Sequence, residues 1–199
     1  ESLLRNRNTG DRPPLITSSS KSAVMLSRRY ATKPLLTKQQ ISALAESIAT
    51  QLNYEPGGDI TVTVKKLGGK VEVEETLHKD PEQSGSLYVE NPNDFTIIVP
   101  THTSPSRDRF TIAHELGHFI VHYLWRQKKH NLPPFKMMAL RKDSDRVEWE
   151  ANWFAAAFLM PGALFKERYA AFSGDIDDVA SSFSVSRSAA EIRARSLGL

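Results

Sequence analysis

An α+β fold, with a small antiparallel or mixed sheet packed against two apolar helices and a short helical segment at the carboxy terminus, is what this 199-residue sequence predicts. Three observations predict it. Two short runs, Ser84–Val89 and Phe95–Val99, flank the turn-forming tetrapeptide Asn91-Pro92-Asn93-Asp94 and read as a hairpin. Two strongly apolar stretches, Phe110–Leu124 and Val147–Met160, carry helical patterns. A hydrophobic content of 40% without one cysteine describes a chain that buries a core unaided by disulfides. The length suits one domain, and an enzyme with a complete nucleotide-binding half would be crowded into it. No window approaches the roughly 18 uncharged apolar residues of a membrane span, so no membrane partner is expected. Without cysteine there is no thiol nucleophile, iron–sulfur cluster or Cys-ligated zinc site, so any metal must be held by His, carboxylate or carbonyl groups.

Residues 1–36 carry seven basic groups (Arg5, Arg7, Arg12, Lys21, Arg28, Arg29, Lys33) against Glu1 and Asp11, a net +5. The remaining residues hold 19 basic and 21 acidic groups, so the formal +3 of the chain belongs to a tail and not to a folded face. Direct nucleic-acid binding is disfavoured on that ground. The tail mixes Arg, Asn, Pro and Ser without a period, and its acid-poor stretch through Tyr30 is similar to an organellar transit peptide. A flexible arm or upstream extension on a cytoplasmic protein is the preferred reading, because no secretory apolar core is present.

The folded domain is expected over residues 37–199. Thr37-Lys38-Gln39-Gln40 is a capping-box pattern, and Ile41, Leu44, Ile48 and Leu52 then recur at helical spacing. Pro56-Gly57-Gly58 ends that helix, and Asp59 either caps a second short helix or precedes a strand through Ile60, Val62 and Val64. Val71 and Val73 alternate with charged residues as a strand does, and the hairpin follows. Beyond the first apolar helix, a basic connector from Arg126 to Arg146 contains Pro133-Pro134 and is long enough to be read as a lid or substrate-contacting loop. The second apolar helix stops at Pro161-Gly162, and Asp175–Phe183 and Arg187–Leu197 form two short helical patterns.

The first apolar helix contains His114-Glu115-Leu116-Gly117-His118, a HExxH sequence. Residues four apart on a helix project from one face, so two imidazoles converge on a metal while the intervening Glu reaches toward its water. Two His and a Glu among Phe110, Ile112, Phe119 and Val121 are costly to bury unless something satisfies them. A catalytic zinc usually takes a third protein ligand, His or carboxylate. Glu148, at the start of the second apolar helix, shares a face with Asn152, Ala155, Ala156 and Leu159, and this periodicity favours it over its competitor Glu150 on nearly the opposite face.

The segments Phe110-Thr111-Ile112-Ala113-His114-Glu115-Leu116-Gly117-His118 and Val147–Pro161 together resemble the ImmA/IrrE family of zincin-type metallopeptidases, which pair an FTxAHELGH helix with an ExxA(N/D)xFAxxxLMP helix. The resemblance runs from about Thr37 to Leu199 and includes Gly85–Leu87 and the terminal Ser-Leu-Gly-Leu. It implies a zincin-like fold, Zn2+ held by His114, His118 and Glu148, and Glu115 as catalytic base. It also implies a regulatory protease whose substrate is a separate helix-turn-helix repressor or antitoxin controlling mobile-element or stress genes. Metal-assisted peptide hydrolysis fits these residues, with Asn152 orienting a ligand imidazole. An extended substrate is expected to add along the edge of the Ser84–Val99 hairpin. The charge of the tetrahedral intermediate needs a donor, and the sequence does not choose among His122, Tyr123, His102 and Arg109. His122 lies about 80° around an α-helix from His114, and a structural hydrogen bond is the preferred role for it.

Val179–Arg193 also resembles a helix-turn-helix, with Arg187, Arg193 and Arg195 as candidate phosphate contacts, although its acidic residues favour domain packing. A non-proteolytic repressor-binding module and a DNA-binding regulator are therefore the competing functional readings.

Overall fold

The computed structural model describes residues 36–74, 86–101, 103–140 and 146–199, together with a two-residue strand, β1 (Val24–Met25). The other elements in chain order are α1 (Lys38–Gln51), α2 (Ile60–Lys66), β2 (Gly69–Glu74), β3 (Ser86–Asn91), β4 (Asp94–Pro100) and α3 (Pro105–Gly117). A π-helical stretch (His118–Trp125) continues α3 and passes into α4 (Arg126–His130), followed by β5 (Met137–Leu140), α5 (Arg146–Leu159), α6 (Gly162–Ala171), α7 (Ile176–Ser182) and α8 (Arg187–Leu197). The expected α+β class with its small mixed sheet is what these elements build. No helix among the described residues is long and apolar enough to cross a membrane.

The capping box at Thr37 forms as its residue types dictate. The Gln40 amide nitrogen donates to Thr37 Oγ1 at 3.2 Å, and the Thr37 amide donates back to Gln40 Oε1 at 2.9 Å. The face that α1 buries runs through Ile41, Ala45 and Ala49, with Leu44 and Ile48 packed beside them. Asp59 caps a helix, its carboxylate accepting from the Thr61 amide, so the 60–66 segment is α2 and not a strand.

Sheet order is β1-β5-β3-β4-β2. The hairpin pairs Leu87 with Ile97 and Val89 with Phe95, four buried side chains on the face turned to the helices. Asn91 Oδ1 accepts from the Asn93 amide and holds the turn. β2 lies parallel to β4, and β5 lies antiparallel to β3. Both hairpin strands are thus flanked on each side, which overturns the expectation that a substrate adds to the hairpin edge. β5 covers Ser86–Val89 of β3, and β2 covers Phe95–Pro100 of β4.

One further expectation is corrected. The connector after Trp125 is not one long loop: Arg126–His130 prolongs the preceding helix, and Met137–Leu140 enters the sheet beside β3. Val24–Met25, within the presumed tail, pairs parallel with β5, while the rest of residues 1–35 lie outside the described residues.

The carboxy-terminal pair α7 and α8 forms as its pattern predicted, but its cations point to packing. Arg193 is buried, its Nε donating to the Met160 carbonyl at 2.9 Å and its Nη2 to Glu46 Oε1 at 3.2 Å. The same Glu46 oxygen accepts from the Gly162 amide at 2.9 Å, so one carboxylate of α1 gathers the start of α6 and the middle of α8. Arg187 is paired with Asp177 and Glu191. Two of the three arginines proposed for phosphates are already committed within the domain.

Candidate metal centre

Helix α3 starts where Ser104 Oγ accepts from the Arg107 amide, with Pro105 in the first turn, and it runs directly into the core. His114, Glu115 and His118 are all essentially inaccessible to solvent. The helix that faces them is α5, and the closeness of the two depends on Gly117. A Cβ there would stand 3.0 Å from both Cα and O of Ala151 and 3.2 Å from Cβ of Phe154. Backbone against backbone leaves no flexible side chain to yield. We expect Gly117→Ala to lower stability by about 1–3 kcal/mol through overpacking. Because the added methyl levers α5 away from α3, it should also weaken metal binding, and paired thermal melts and metal titrations of this variant would check both effects.

The close crossing brings Glu148, in the first turn of α5, onto the two imidazoles of α3 and its continuation. His114 Nε2 and His118 Nε2 are 3.0 Å apart. Glu148 Oε2 lies 3.2 Å from the first and Oε1 lies 3.3 Å from the second. Ligands bound tetrahedrally to one zinc at about 2.0–2.1 Å would stand about 3.3 Å from one another. The donor set and its spacing therefore fit such an ion, and His114, His118 and Glu148 form a buried group able to hold a metal. Burial alone would raise the Glu148 carboxyl, but hydrogen bonds to His114 and His118 outweigh it and hold the group well below the usual carboxylate range.

Each imidazole is also gripped from behind. His114 Nδ1 is 2.9 Å from Asn152 Oδ1, one turn along α5 from Glu148. His118 Nδ1 is 3.0 Å from Nδ1 of His122, whose Nε2 lies 3.1 Å from Glu150 Oε2. Glu150 accepts from Arg146 Nε at 2.7 Å, and Arg146 Nη2 reaches the carbonyl of Leu36 at 2.8 Å. Burial pushes the His122 imidazole down, toward the neutral form, against the opposing pull of Glu150. Burial pushes the Glu150 carboxyl up, but its bonds to His122 and Arg146 hold it lower than usual.

Of the two glutamates of α5, Glu148 faces the His114 and His118 imidazoles and Glu150 faces His122. What sequence reasoning missed is that Glu150 is buried and partnered to His122. The spacing His118-x3-His122 opposite Glu148-x-Glu150 is the signal that could have shown it. Among the described residues, the donor candidates Tyr123 and Arg109 do not join the group. Tyr123 packs its ring against Phe119 and Phe135. Arg109 is occupied with the Gly58 carbonyl and with Tyr54 Oη at 3.3 Å. His102 lies outside the described residues.

The sequence model of the peptidase M78 family, described as the IrrE N-terminal-like domain, matches residues 70–195. Among solved structures, 11 chains match, one of them a Mycobacterium tuberculosis transcriptional regulator with a TM-score of 0.53 at 18% identity. That alignment covers 75% of this chain and 45% of the other, so the chain spans under half the length of that structure, and the likeness is one of fold. No curated protein matches the chain.

Proposed function

Because the chain belongs to the peptidase M78 family of IrrE N-terminal-like domains, we propose that it is a zinc-dependent regulatory endopeptidase acting in the cytoplasm on a helix-turn-helix repressor or antitoxin. The observation that carries this reading is the buried His114, His118 and Glu148 group at zinc-ligand spacing, with Glu115 adjoining it on α3. Zinc held by His114, His118 and Glu148 would supply Lewis-acid chemistry and a water of lowered pKa. Glu115 would be the carboxylate that takes a proton from water and returns it to the leaving amine. Asn152 holds the His114 ring in place through Nδ1. A regulatory setting agrees with the transcriptional regulator that shares the fold.

Hydrolysis of a protein is favoured over passive capture because three ligands leave a tetrahedral ion one open position, the arrangement of catalytic rather than structural zinc. The competing DNA-binding reading loses Arg187 and Arg193 to partners inside the domain. The test is to incubate the purified protein with the repressors encoded beside it. We expect about one zinc per chain and fragments that disappear when the metal is chelated. Full zinc loading with every such repressor left intact would reject the peptidase reading.

A further inference from the structure

We propose that His122 and Glu150 are positioning residues of the metal centre, which fix the His118 proton on Nδ1 and thereby present the His118 Nε2 lone pair to the metal. The inference rests on the zinc reading above and deepens it, since neither residue touches the metal-facing atoms.

The argument follows the hydrogen bonds inward. Glu150 is accepting from Arg146 Nε, so its carboxylate is an acceptor, and the His122 Nε2 facing it at 3.1 Å must donate. A buried imidazole that donates from Nε2 is most stable neutral, which makes its Nδ1 an acceptor. The partner of that Nδ1 is His118 Nδ1 at 3.0 Å, which therefore donates. One tautomer of His118 follows, with hydrogen on Nδ1 and a lone pair on the Nε2 that faces His114 and Glu148. The metal-ligating imidazole hydrogen-bonded to a carboxylate is a common device for raising ligand basicity. Here a second imidazole is interposed between the ligand and the carboxylate.

Local winding sets where His122 stands relative to the two ligand histidines. On a regular α-helix His122 would sit about 80° around from His114, away from the ligand face. The His118–Trp125 stretch is π-helical, with bonds from i to i+5, and turns less per residue. On either winding His122 lies about one turn beyond His118, and the two rings stand with centroids 5.1 Å apart, while the slower turn brings His122 back in line with His114 and His118. Single-turn π segments gather at functional sites for this kind of reason.

The test uses the full chain, with zinc affinity measured by competition against a chromophoric chelator and the histidine tautomers read from long-range 1H–15N spectra of the zinc-loaded protein. The expected parent spectrum has His118 protonated at Nδ1. His122→Leu should bind zinc about 10–100-fold more weakly. His122→Gln can accept from His118 through Oε1 and donate to Glu150 through Nε2, in the same order as the imidazole, and should recover most of the loss. Unchanged affinity in the Leu variant overturns the proposal. So does a His118 proton on Nε2, or a Gln variant as weak as the Leu variant, which would mean that His122 serves as packing or as a ligand. Should the Leu variant not fold, the Gln variant and the parent spectrum decide. A parent that takes up no zinc overturns the metal reading itself, a result distinct from a loaded parent indifferent to position 122.

Discussion

Zinc uptake by the Glu115→Gln variant is expected to equal that of the parent, one ion per chain, while hydrolysis of the substrate falls by about a thousandfold or more, within the range that general acid–base groups supply. The two outcomes separate because of where Glu115 sits. It follows His114 on α3 and is buried, but it is not one of the three donors that gather at zinc-ligand spacing. Glutamine preserves its volume in a packed helix, so fold and ligands should survive. An amide has no carboxylate with which to take a proton from water, so the loss should appear in kcat. Metal content by atomic emission and cleavage rates on the same preparations would check it. A variant that cleaves as fast as the parent would remove Glu115 from the chemistry. A variant that still suppresses the repressor without cutting it would favour the binding-module reading.

Removing the third donor should have the opposite signature. Structural zinc sites bind with about 10–16 kcal/mol shared among four ligands, so one ligand is worth about 3 kcal/mol, and Glu148→Ala should weaken zinc binding by a hundredfold or more. Glu148 is buried against both imidazoles at 3.2 and 3.3 Å, so no other described carboxylate stands ready to replace it. The rise in melting temperature that zinc confers should shrink accordingly, because stabilisation follows the ratio of free zinc to its dissociation constant. Glu150→Ala provides the contrast, since Glu150 bonds to His122 and Arg146 and reaches the ligands only through them. If Glu150→Ala loses zinc outright while Glu148→Ala keeps it, the assignment of the two glutamates is reversed.

Much of this was legible in the residues because the relevant signals are local. Thr37 and Gln40 announce the start of α1, and the alternation in β3 and β4 fixes which side chains face the helices. The HExxH spacing and the Glu148/Asn152 stripe place donors on two helices whose mutual approach the sequence marks only as a glycine. What stayed hidden depends on non-local geometry. A π-helical stretch has no distinctive pattern, since Phe119, Ile120 and Val121 satisfy an α-helix equally well, and so the alignment of His122 with the His114–His118 stripe was out of reach of α-helical arithmetic, although the His118-x3-His122 spacing was visible. Helix α6 buries only Phe165 fully and offers little amphipathic signal; it is held at its start by Glu46, 116 positions upstream. β5 is a four-residue strand whose pairing with β3 cannot be read from Met137-Met138-Ala139-Leu140 alone.

The outermost bond behind His118 ends on main chain. Arg146 Nη2 donates to the carbonyl of Leu36, the residue just before the Thr37 cap of α1. Every peptide unit carries such a carbonyl, so substitution at position 36 leaves the acceptor in place, and only rerouting the backbone ahead of α1 withdraws it. The alignment of a histidine in the core is thereby coupled to the path of the polypeptide rather than to the identity of a side chain. Sequence drift at position 36 is tolerated, whereas an insertion or deletion between Leu36 and Thr37 would be felt at His118.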